Sequence, residues 1–435
     1  MPDLLLRRAR IADDAPLVDI VVRDGRIAAL GPGAADGEPA SEAKPEAELE
    51  PKPEPKPGIA ELDCAGRVVI PGLIESHLHL DKALLDRERP NLEGTLAGAI
   101  AVTGELKRGF TVENVRNRAR TVLETAITHG ATLIRAHPDV DPIVGLLGLD
   151  VVLGLKEEYR TAVDIQVVAF PQEGIFKAPG TLELLREALK RGADVIGGCT
   201  YNEADLDDCH RHVETVLDLA VEFGVPADLH ADFADDVSDP RYALAGYIAE
   251  ATSARGLQGS VALGHMTSLA ALNPAERAVV LKQLAQAGVA VIPLPATDMH
   301  LGGRRDEANV RRGVAPVRDL WEAGVTTAFS SNNVRNAFTP YGNADLLDIG
   351  LFLAQTGHLS SPDDLARVLA MATTEAAAVV GVAEDYGLRV GAKADLVVLD
   401  TLAVADALLD RPVRTAVVKG GRIVARTTKT TALSL

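Results

Sequence analysis

The sequence is poor in cysteine, in aromatic residues and in long apolar runs. Only three cysteines occur in 435 residues, at positions 64, 199 and 209, and none has Cys-x-x-Cys spacing. This predicts a reducing compartment and no disulfide framework. No apolar run reaches the ~18 residues of a membrane span, and the opening MPDLLLRRARIADD lacks the apolar core of a secretion signal. We therefore expect a soluble, cytoplasmic protein.

Basic residues are also in deficit. The chain has 44 Lys and Arg against 62 Asp and Glu, which gives a formal net charge of −18. A surface of this sign repels phosphate backbones and anionic membranes, so neither a nucleic acid nor a membrane is expected as a partner. The simplest consequence of the charge is solubility, and the partner that we expect is a small molecule.

One segment differs in composition from the rest. Residues 33–58 alternate Glu, Lys, Pro and Ala and end in EPKPEPKPG. Proline at this density fits neither a helix interior nor a central strand, so we predict a disordered, extended loop. A scaffolding protein that uses this loop as a contact is an alternative hypothesis, but no other feature of the sequence supports it.

The two chain ends carry related β patterns. A segment near the start, VVRDGRIAALGPG, is similar to VVKGGRIVA at 417–425. Residues 388–401, LRVGAKADLVVLDT, have the pattern of a strand pair. We predict that residues 1–66 and 386–435 form one small β-sandwich domain.

Residues 67–385 alternate β-rich apolar runs with amphipathic helical patterns, which is typical of an α/β fold. Helical patterns include Thr181–Lys190, Val213–Phe223 and Ala275–Ala287. Eight β-rich runs are present: Val68–Ser76, Ala131–Ala136, Asp164–Phe170, Asp194–Gly198, Pro226–Leu229, Ser260–Gly264, Val289–Pro293 and Thr326–Ser330. Eight such repeats predict a (β/α)8 TIM-type barrel.

Polar residues follow these strands where a barrel enzyme places its site, at the carboxyl ends. In His77-Leu78-His79 the two imidazoles point the same way from one strand. An isolated pair of this kind is equally compatible with buried histidines in ordinary hydrogen bonds. Together with His230 after the fifth strand, however, they make a three-imidazole set with an open position, which suits one divalent metal ion, zinc or iron. His265 ends the sixth strand, close enough to hydrogen-bond a metal-activated water.

Several motifs together resemble the amidohydrolase superfamily, and specifically its cytosine deaminase-like branch. They are PGLIESHLHLDK, VVAFPQEGI at 167–175, DLHAD at 228–232, LGHMTS at 263–268 and MHLGGRRD at 299–306. The resemblance implies a metal-dependent hydrolase of non-peptide C–N bonds, of a type that is often homo-oligomeric. It also implies that Gln172, Phe170, Phe338 and His300 bind the substrate, and that His265, Asp232 and the residue at 332 are catalytic.

Two positions depart from the family pattern. The family's metal-binding, proton-accepting aspartate is replaced by Asn332, and its proton-shuttling glutamate is replaced by Phe233. General acid–base groups contribute roughly 10²–10⁴-fold each, so both losses affect proton transfer. Candidate substitutes are Asp232, Asp298, the loop residues Asp235 and Asp236, and His137. Asp232 is already acidic in the family, and His137 is equally compatible with a structural role.

Two functional hypotheses follow. The first is a hydrolase acting on a C–N bond of a small nitrogen heterocycle or cyclic amide. The second is a non-catalytic relative that binds a metal or a heterocycle and has lost its proton-transfer residues.

Overall fold

The computed structural model describes residues 4–36 and 60–434. Most of the predicted Pro/Glu loop, residues 37–58, lies outside these ranges. The chain divides into two compact units, Met1–Leu73 with Val382–Leu435, and Ile74–Gly381. None of the helices in the described ranges combines the length and apolarity that a membrane span requires.

Strands and helices are numbered in chain order. The strands are β1 Leu4–Ala9, β2 Val18–Arg23, β3 Arg26–Gly31, β4 Ala60–Asp63, β5 Val68–Pro71, β6 Leu73–Leu78, β7 Ala131–Ala136, β8 Asp164–Ala169, β9 Val195–Cys199, β10 Ala227–Ala231, β11 Val261–His265, β12 Ala290–Ile292, β13 Leu396–Leu399, β14 Arg414–Lys419 and β15 Arg422–Arg426. The α-helices are α1 Leu96–Lys107, α2 Val112–Thr128, α3 Leu147–Tyr159, α4 Thr181–Lys190, α5 Leu206–Phe223, α6 Ala245–Ala254, α7 Pro274–Gln286, α8 Pro295–Leu301, α9 Val317–Glu322, α10 Leu346–Gly357, α11 Pro362–Ala370, α12 Thr374–Val379 and α13 Asp406–Leu409.

The first unit contains two four-stranded sheets, ordered β3-β2-β1-β4 and β15-β14-β13-β5. Both chain ends contribute strands, and inward-facing residues such as Leu6, Ile20, Val398 and Val418 share one apolar core. This arrangement confirms the predicted β-sandwich, because two sheets built from both chain ends pack their inner faces around one core.

The second unit is a barrel of seven parallel strands in the order β6 to β12, with helices between them, which confirms the TIM-type fold. Local signals set the helix limits. In α5, Asp205 caps the first turn through the backbone N–H of Asp208, and Gly224 ends the helix in a left-handed conformation with φ +66°.

The predicted eighth strand is not continuous. The segment that follows β12 in the barrel makes two parallel bridges, Val291 to Thr327 and Leu78 to Asn332. The ladder is interrupted because the N–H of His77 donates to the Ser330 side chain, at 2.9 Å, rather than to a backbone carbonyl. Farther along, the N–H of Asn332 donates to the carbonyl of His77, so the barrel still closes at its carboxyl end.

The predicted first strand, Val68–Ser76, is divided in the structure. Its first half, β5, pairs antiparallel with β13 in the small unit, and its second half, β6, begins the barrel. One further hydrogen bond follows Pro71, from the N–H of Gly72 to the carbonyl of Asp395 at 2.8 Å, before the chain enters β6. The sequence interpretation of one strand was therefore wrong at this point.

Candidate metal centre and cavity

The imidazoles of His77, His79 and His230 converge at the carboxyl end of the barrel. His77 Nε2 lies 3.0 Å from His230 Nε2, and His79 Nε2 lies 3.2 Å from the same atom. Nitrogen ligands about 2.0–2.1 Å from a tetrahedral ion are themselves roughly 3.3 Å apart. All three side chains are buried. The donor set therefore fits one divalent ion, as the sequence predicted.

Contacts on the far side of the rings orient two of these imidazoles, one through a hydrogen bond and one through a nearby carboxylate. His79 Nδ1 lies 2.9 Å from the carbonyl oxygen of His137, so Nδ1 carries the proton and Nε2 keeps its lone pair. His77 Nδ1 lies 3.6 Å from Asp228 Oδ1. The pKa of His77 is lowered to about 3, chiefly by burial and further by the nearby imidazole of His137. The ring is thus neutral at pH 7, which is the form that binds a metal.

A buried ion pair between Asp228 and Arg135 lies next to the imidazole cluster. Asp228 accepts a hydrogen bond of 3.1 Å from Arg135 Nη1, and its other oxygen lies 3.3 Å from His137 Nε2. The ring of His137 stacks on that of His77, with centroids 3.7 Å apart. His137, which the sequence offered as a substitute base, thus packs behind the metal ligands and is not among the residues that line the cavity.

His265 lies across the cluster from β6 and is held by a carboxylate. Its Nδ1 is 2.6 Å from Asp298 Oδ1, which leaves Nε2 as the second functional atom of the ring. Burial raises the pKa of Asp298. The phenyl ring of Phe233 stacks on His265 with centroids 4.0 Å apart and planes 12° apart. Phe233 therefore covers this imidazole and offers it no proton.

Asn332 is positioned through its neighbours. Glu75, buried on β6, accepts hydrogen bonds from the hydroxyl groups of Ser330 and Ser331 at 2.5 and 2.6 Å, and from the N–H of Ser331 at 3.0 Å. Asn332 follows in a left-handed conformation with φ +57°. Among the described residues its buried amide oxygen and nitrogen have no hydrogen-bond partner. Such atoms in a buried site call for a ligand.

The substrate side of the cavity contains residues that the sequence analysis missed. Lys82, which is buried, donates to Asp139 Oδ1 at 2.8 Å and to Gln172 Oε1 at 2.9 Å. Lys82, Tyr201 and Asn333 all line the cavity. The signal for Lys82 was available, because it lies three residues after His79 within the same motif.

Two predicted aromatic residues also reach this region. Phe338 lines the cavity, and Phe170 packs against His230 with centroids 4.2 Å apart. The ammonium of Lys82 lies 5.2 Å from the centroid of Phe170 and 5.4 Å from that of Phe338, within the range of cation–π contacts. The enclosed space is about 10 Å³, enough for about one water molecule. A ring-sized ligand therefore needs the lining side chains to move.

Two other predicted site residues lie away from this cavity. The Asp232 carboxylate accepts hydrogen bonds from the N–H groups of Leu244 and Ala245, at 2.8 and 3.0 Å, at the start of α6. His300 instead lines a separate groove of about 880 Å³ with Tyr341. The α8 helix separates the two spaces, so His300 faces away while Thr297 lines the cavity. Their assigned roles stay predictions without a contact in the cavity.

Several known proteins are similar to this chain over most of its length. The solved structure of 5-methylcytosine deaminase from Klebsiella pneumoniae, liganded with 5-fluorocytosine, is similar with a TM-score of 0.89, 28% identity and 99% of both chains covered. N-isopropylammelide isopropylaminohydrolase from Burkholderia multivorans gives a TM-score of 0.81 and 32% identity, over 98% of this chain and 99% of that one. Pterin deaminase from Rhizobium rhizogenes is 29% identical over 94% of this chain and 88% of its own length.

A family model for the amidohydrolase family matches residues 60–425, most of the chain. The match includes the barrel strands that carry the imidazole cluster. The chain therefore belongs to the amidohydrolase family, whose members hydrolyse carbon–nitrogen bonds and use a metal ion.

Proposed function

We propose that this protein hydrolyses a carbon–nitrogen bond of a small nitrogen heterocycle or cyclic amide. One divalent ion, zinc or iron, would be held by His77, His79 and His230. The observation that carries the proposal is that His77 Nε2 and His79 Nε2 lie 3.0 and 3.2 Å from His230 Nε2, all three buried at the end of the barrel where such enzymes act.

A bound divalent ion would supply an activated water at neutral pH. The remaining tasks fall to side chains of this chain. Gln172 and Lys82 lie beside the cavity and orient the ring by hydrogen bonds, and Phe338 covers one face of it. His265, with Nδ1 fixed on Asp298, is placed to hold and move a proton at Nε2. Phe233 excludes water from the imidazole that it covers.

The substrate class is supported by the compared proteins. Their names describe deamination of a methylcytosine, deamination of a pterin and removal of isopropylamine from an isopropylammelide. Each of these rings contains nitrogen and carries a C–N bond that water can cleave. We extend that class, and no single member of it, to this chain.

Elemental analysis of the as-purified protein tests the metal, and a panel of aminoheterocycles and cyclic amides tests the reaction. We expect about one zinc or iron ion per chain and turnover of at least one compound, lost on chelation and recovered on addition of the metal. Protein without a metal and without turnover across the panel would refute the proposal.

The second candidate function is non-catalytic binding, and the side chains at 332 and 233 favour it. An amide cannot act as a base near neutral pH, and a phenyl ring transfers no proton. The double variant Asn332→Asp, Phe233→Glu separates the two functions. If the wild type turns over a compound that the double variant loses, the non-catalytic reading fails. If only the double variant is active, the wild type is a binding protein.

A further inference from the structure

The groove that His300 lines is a concave site of its own. It encloses about 880 Å³, within the roughly 300–1,000 Å³ of small-molecule sites, whereas the cavity beside the imidazoles encloses about 10 Å³. The helix α8 is a wall of both spaces, but none of the described residues lines both: Thr297 lines the cavity, and Met299 and His300 line the groove. The groove is therefore large enough to hold a ligand that does not contact the metal centre.

The apolar side chains of this groove are exposed to solvent. Tyr341, Val310 and Phe352 line it and are 64%, 63% and 43% exposed. Eleven large hydrophobic side chains are exposed in the described part of the chain, and the two aromatic ones among them, Tyr341 and Phe352, both lie here. Single exposed apolar residues are ordinary, but an apolar cluster in a concave site marks a place where a ligand binds. Two aromatic side chains favour a flat ring as that ligand.

The guanidinium of Arg304 is held in place at this groove. Its Nε donates to the carbonyl oxygen of His300 at 2.7 Å, and its Nη2 lies 3.1 Å from Nδ1 of the same histidine. Because a guanidinium only donates, the imidazole accepts and is neutral. Burial and the Arg304 charge also lower the pKa of His300. Arg304 has no carboxylate partner in the part of the chain that the structure describes, so its positive charge is available to a ligand.

The aromatic side chains and the guanidinium are adjacent. The rings of His300 and Tyr341 meet edge-on with centroids 5.7 Å apart, and Arg304 bonds the same histidine. Of the described lining residues, Arg304 is the one permanent cation, and Asp348, on α10, is the one carboxylate. An anionic group of a ligand therefore has its partner next to His300.

We infer that this groove is a second ligand site, for a flat aromatic ring that carries a carboxylate or a similar anionic group. The ring packs on Tyr341 and Phe352, and the anionic group accepts hydrogen bonds from Arg304. Charge complementarity selects this ligand over a neutral ring, because hydrogen bonds between charged groups are the stronger ones. The site does not depend on the proposed hydrolysis at the metal centre.

Two naphthalenes of matched shape test the inference by isothermal titration calorimetry on the as-purified protein. 2-Naphthoate carries a carboxylate, and 2-naphthamide is its neutral counterpart. We expect 2-naphthoate to bind about 10-fold more tightly at low salt, and we expect the preference to shrink as salt is added. The net charge of −18 opposes any anion that binds without a local partner, so a preference for 2-naphthoate identifies a specific cation.

Substitutions in the groove identify that cation. Arg304→Gln should abolish the preference, whereas Arg305→Gln makes the same charge change at an exposed arginine outside the lining and should keep it. Phe352→Ala should weaken both compounds about fivefold or more, because it removes apolar contact. Leu402→Ala, at an exposed position in the small unit, should weaken neither. Thermal unfolding checks each variant, and Phe352→Ala tests the site independently if Arg304→Gln does not fold.

Hydrogen exchange locates the bound compound. With 2-naphthoate we expect slower exchange in α8 and α10, and no change in the segments around Gln172 and Tyr201, which line the other cavity. Protection around Gln172 and Tyr201 alone, equal affinity for both compounds, no binding of either, or an equal effect of Arg304→Gln and Arg305→Gln overturns the inference. A wild type that sediments as a dimer, binds neither compound and becomes a monomer on Phe352→Ala also overturns it, since a second copy then covers the groove.

Discussion

The side chains on two sides of the same cavity differ in their contacts with the surrounding protein. On the strand side, His77 and His79 have their outer nitrogens facing Asp228 and a backbone carbonyl, respectively, so their inner nitrogens point at one place. On the opposite side, the Asn332 amide has no hydrogen-bond partner within the described part of the chain, and Phe233 makes ring contacts with His265 and Tyr201. We therefore expect metal binding and proton transfer to be separable in this barrel, since the proposed metal ligands are held by strands and the proton-transfer positions are single side chains beyond them.

The largest expected effect is on the strand side. His230→Ala removes the imidazole whose Nε2 is shared by both other contacts, so we expect metal content to fall to background and hydrolysis to disappear. Elemental analysis of the purified variant measures this. His210→Ala, a partly exposed histidine on α5, is the matched control and should keep the wild-type metal content. Normal metal in His230→Ala would contradict the three-imidazole site.

The second-largest effect is expected at Asp228, which lies behind the proposed metal ligands. Asp228→Asn removes the charge that pairs with buried Arg135, and breaking such a pair costs about 3–5 kcal/mol. It also removes the carboxylate beside His77 Nδ1, so metal affinity should fall about 10–100-fold.

Urea denaturation of the metal-free protein and a competition titration with a chelator measure these two effects separately. Asp218→Asn breaks an exposed pair with Arg255 and should cost less than about 1 kcal/mol. Equal small effects of both variants would mean that Asp228 does not organise the site.

A smaller effect is expected at Asn332. Asn332→Asp places a carboxylate where the amide now lacks partners, which should raise metal affinity about 10–100-fold, the size seen for groups around metal sites. The same change should destabilise the metal-free protein, because a buried carboxylate is then unpaired. Thermal unfolding with and without metal measures both effects, with exposed Asn309→Asp as the control. Unchanged metal affinity would place Asn332 outside the metal centre.

The smallest effect concerns Phe233. Phe233→Leu keeps an apolar side chain but loses the stack on His265, so we expect a cost of about 1–2 kcal/mol in the free energy of unfolding. Metal content should not change. A loss of metal in this variant would show that the two sides of the cavity are coupled, and would break the comparison.

Local patterns in the sequence predicted much of the architecture. Alternating apolar runs and amphipathic helices predicted the barrel, and α4 occupies the predicted range Thr181–Lys190. Related β patterns at the two ends predicted the small sheets. Strand periodicity also placed His77 and His79 on one face, because alternate side chains of a strand point the same way.

Local sequence patterns could not predict the contacts between residues that are distant in the chain. No local signal shows that β5 leaves the barrel for the small unit, or that Ser330 replaces a backbone partner of His77. Likewise, the family resemblance implied that His300 binds the substrate, but no local signal shows that this side chain lines a separate groove.

The sequence by itself therefore determined the fold class, and it proposed the residue types of a metal centre, since both follow from short-range periodicity and motif spacing. Only the tertiary structure decided which partner each polar group has. Lys82 orients the Gln172 amide, Asp228 lies behind the imidazole cluster, and Asn332 has no side-chain partner among residues 4–36 and 60–434. The physical reason is that a hydrogen bond depends on distances of about 3 Å between side chains brought together from different strands and loops.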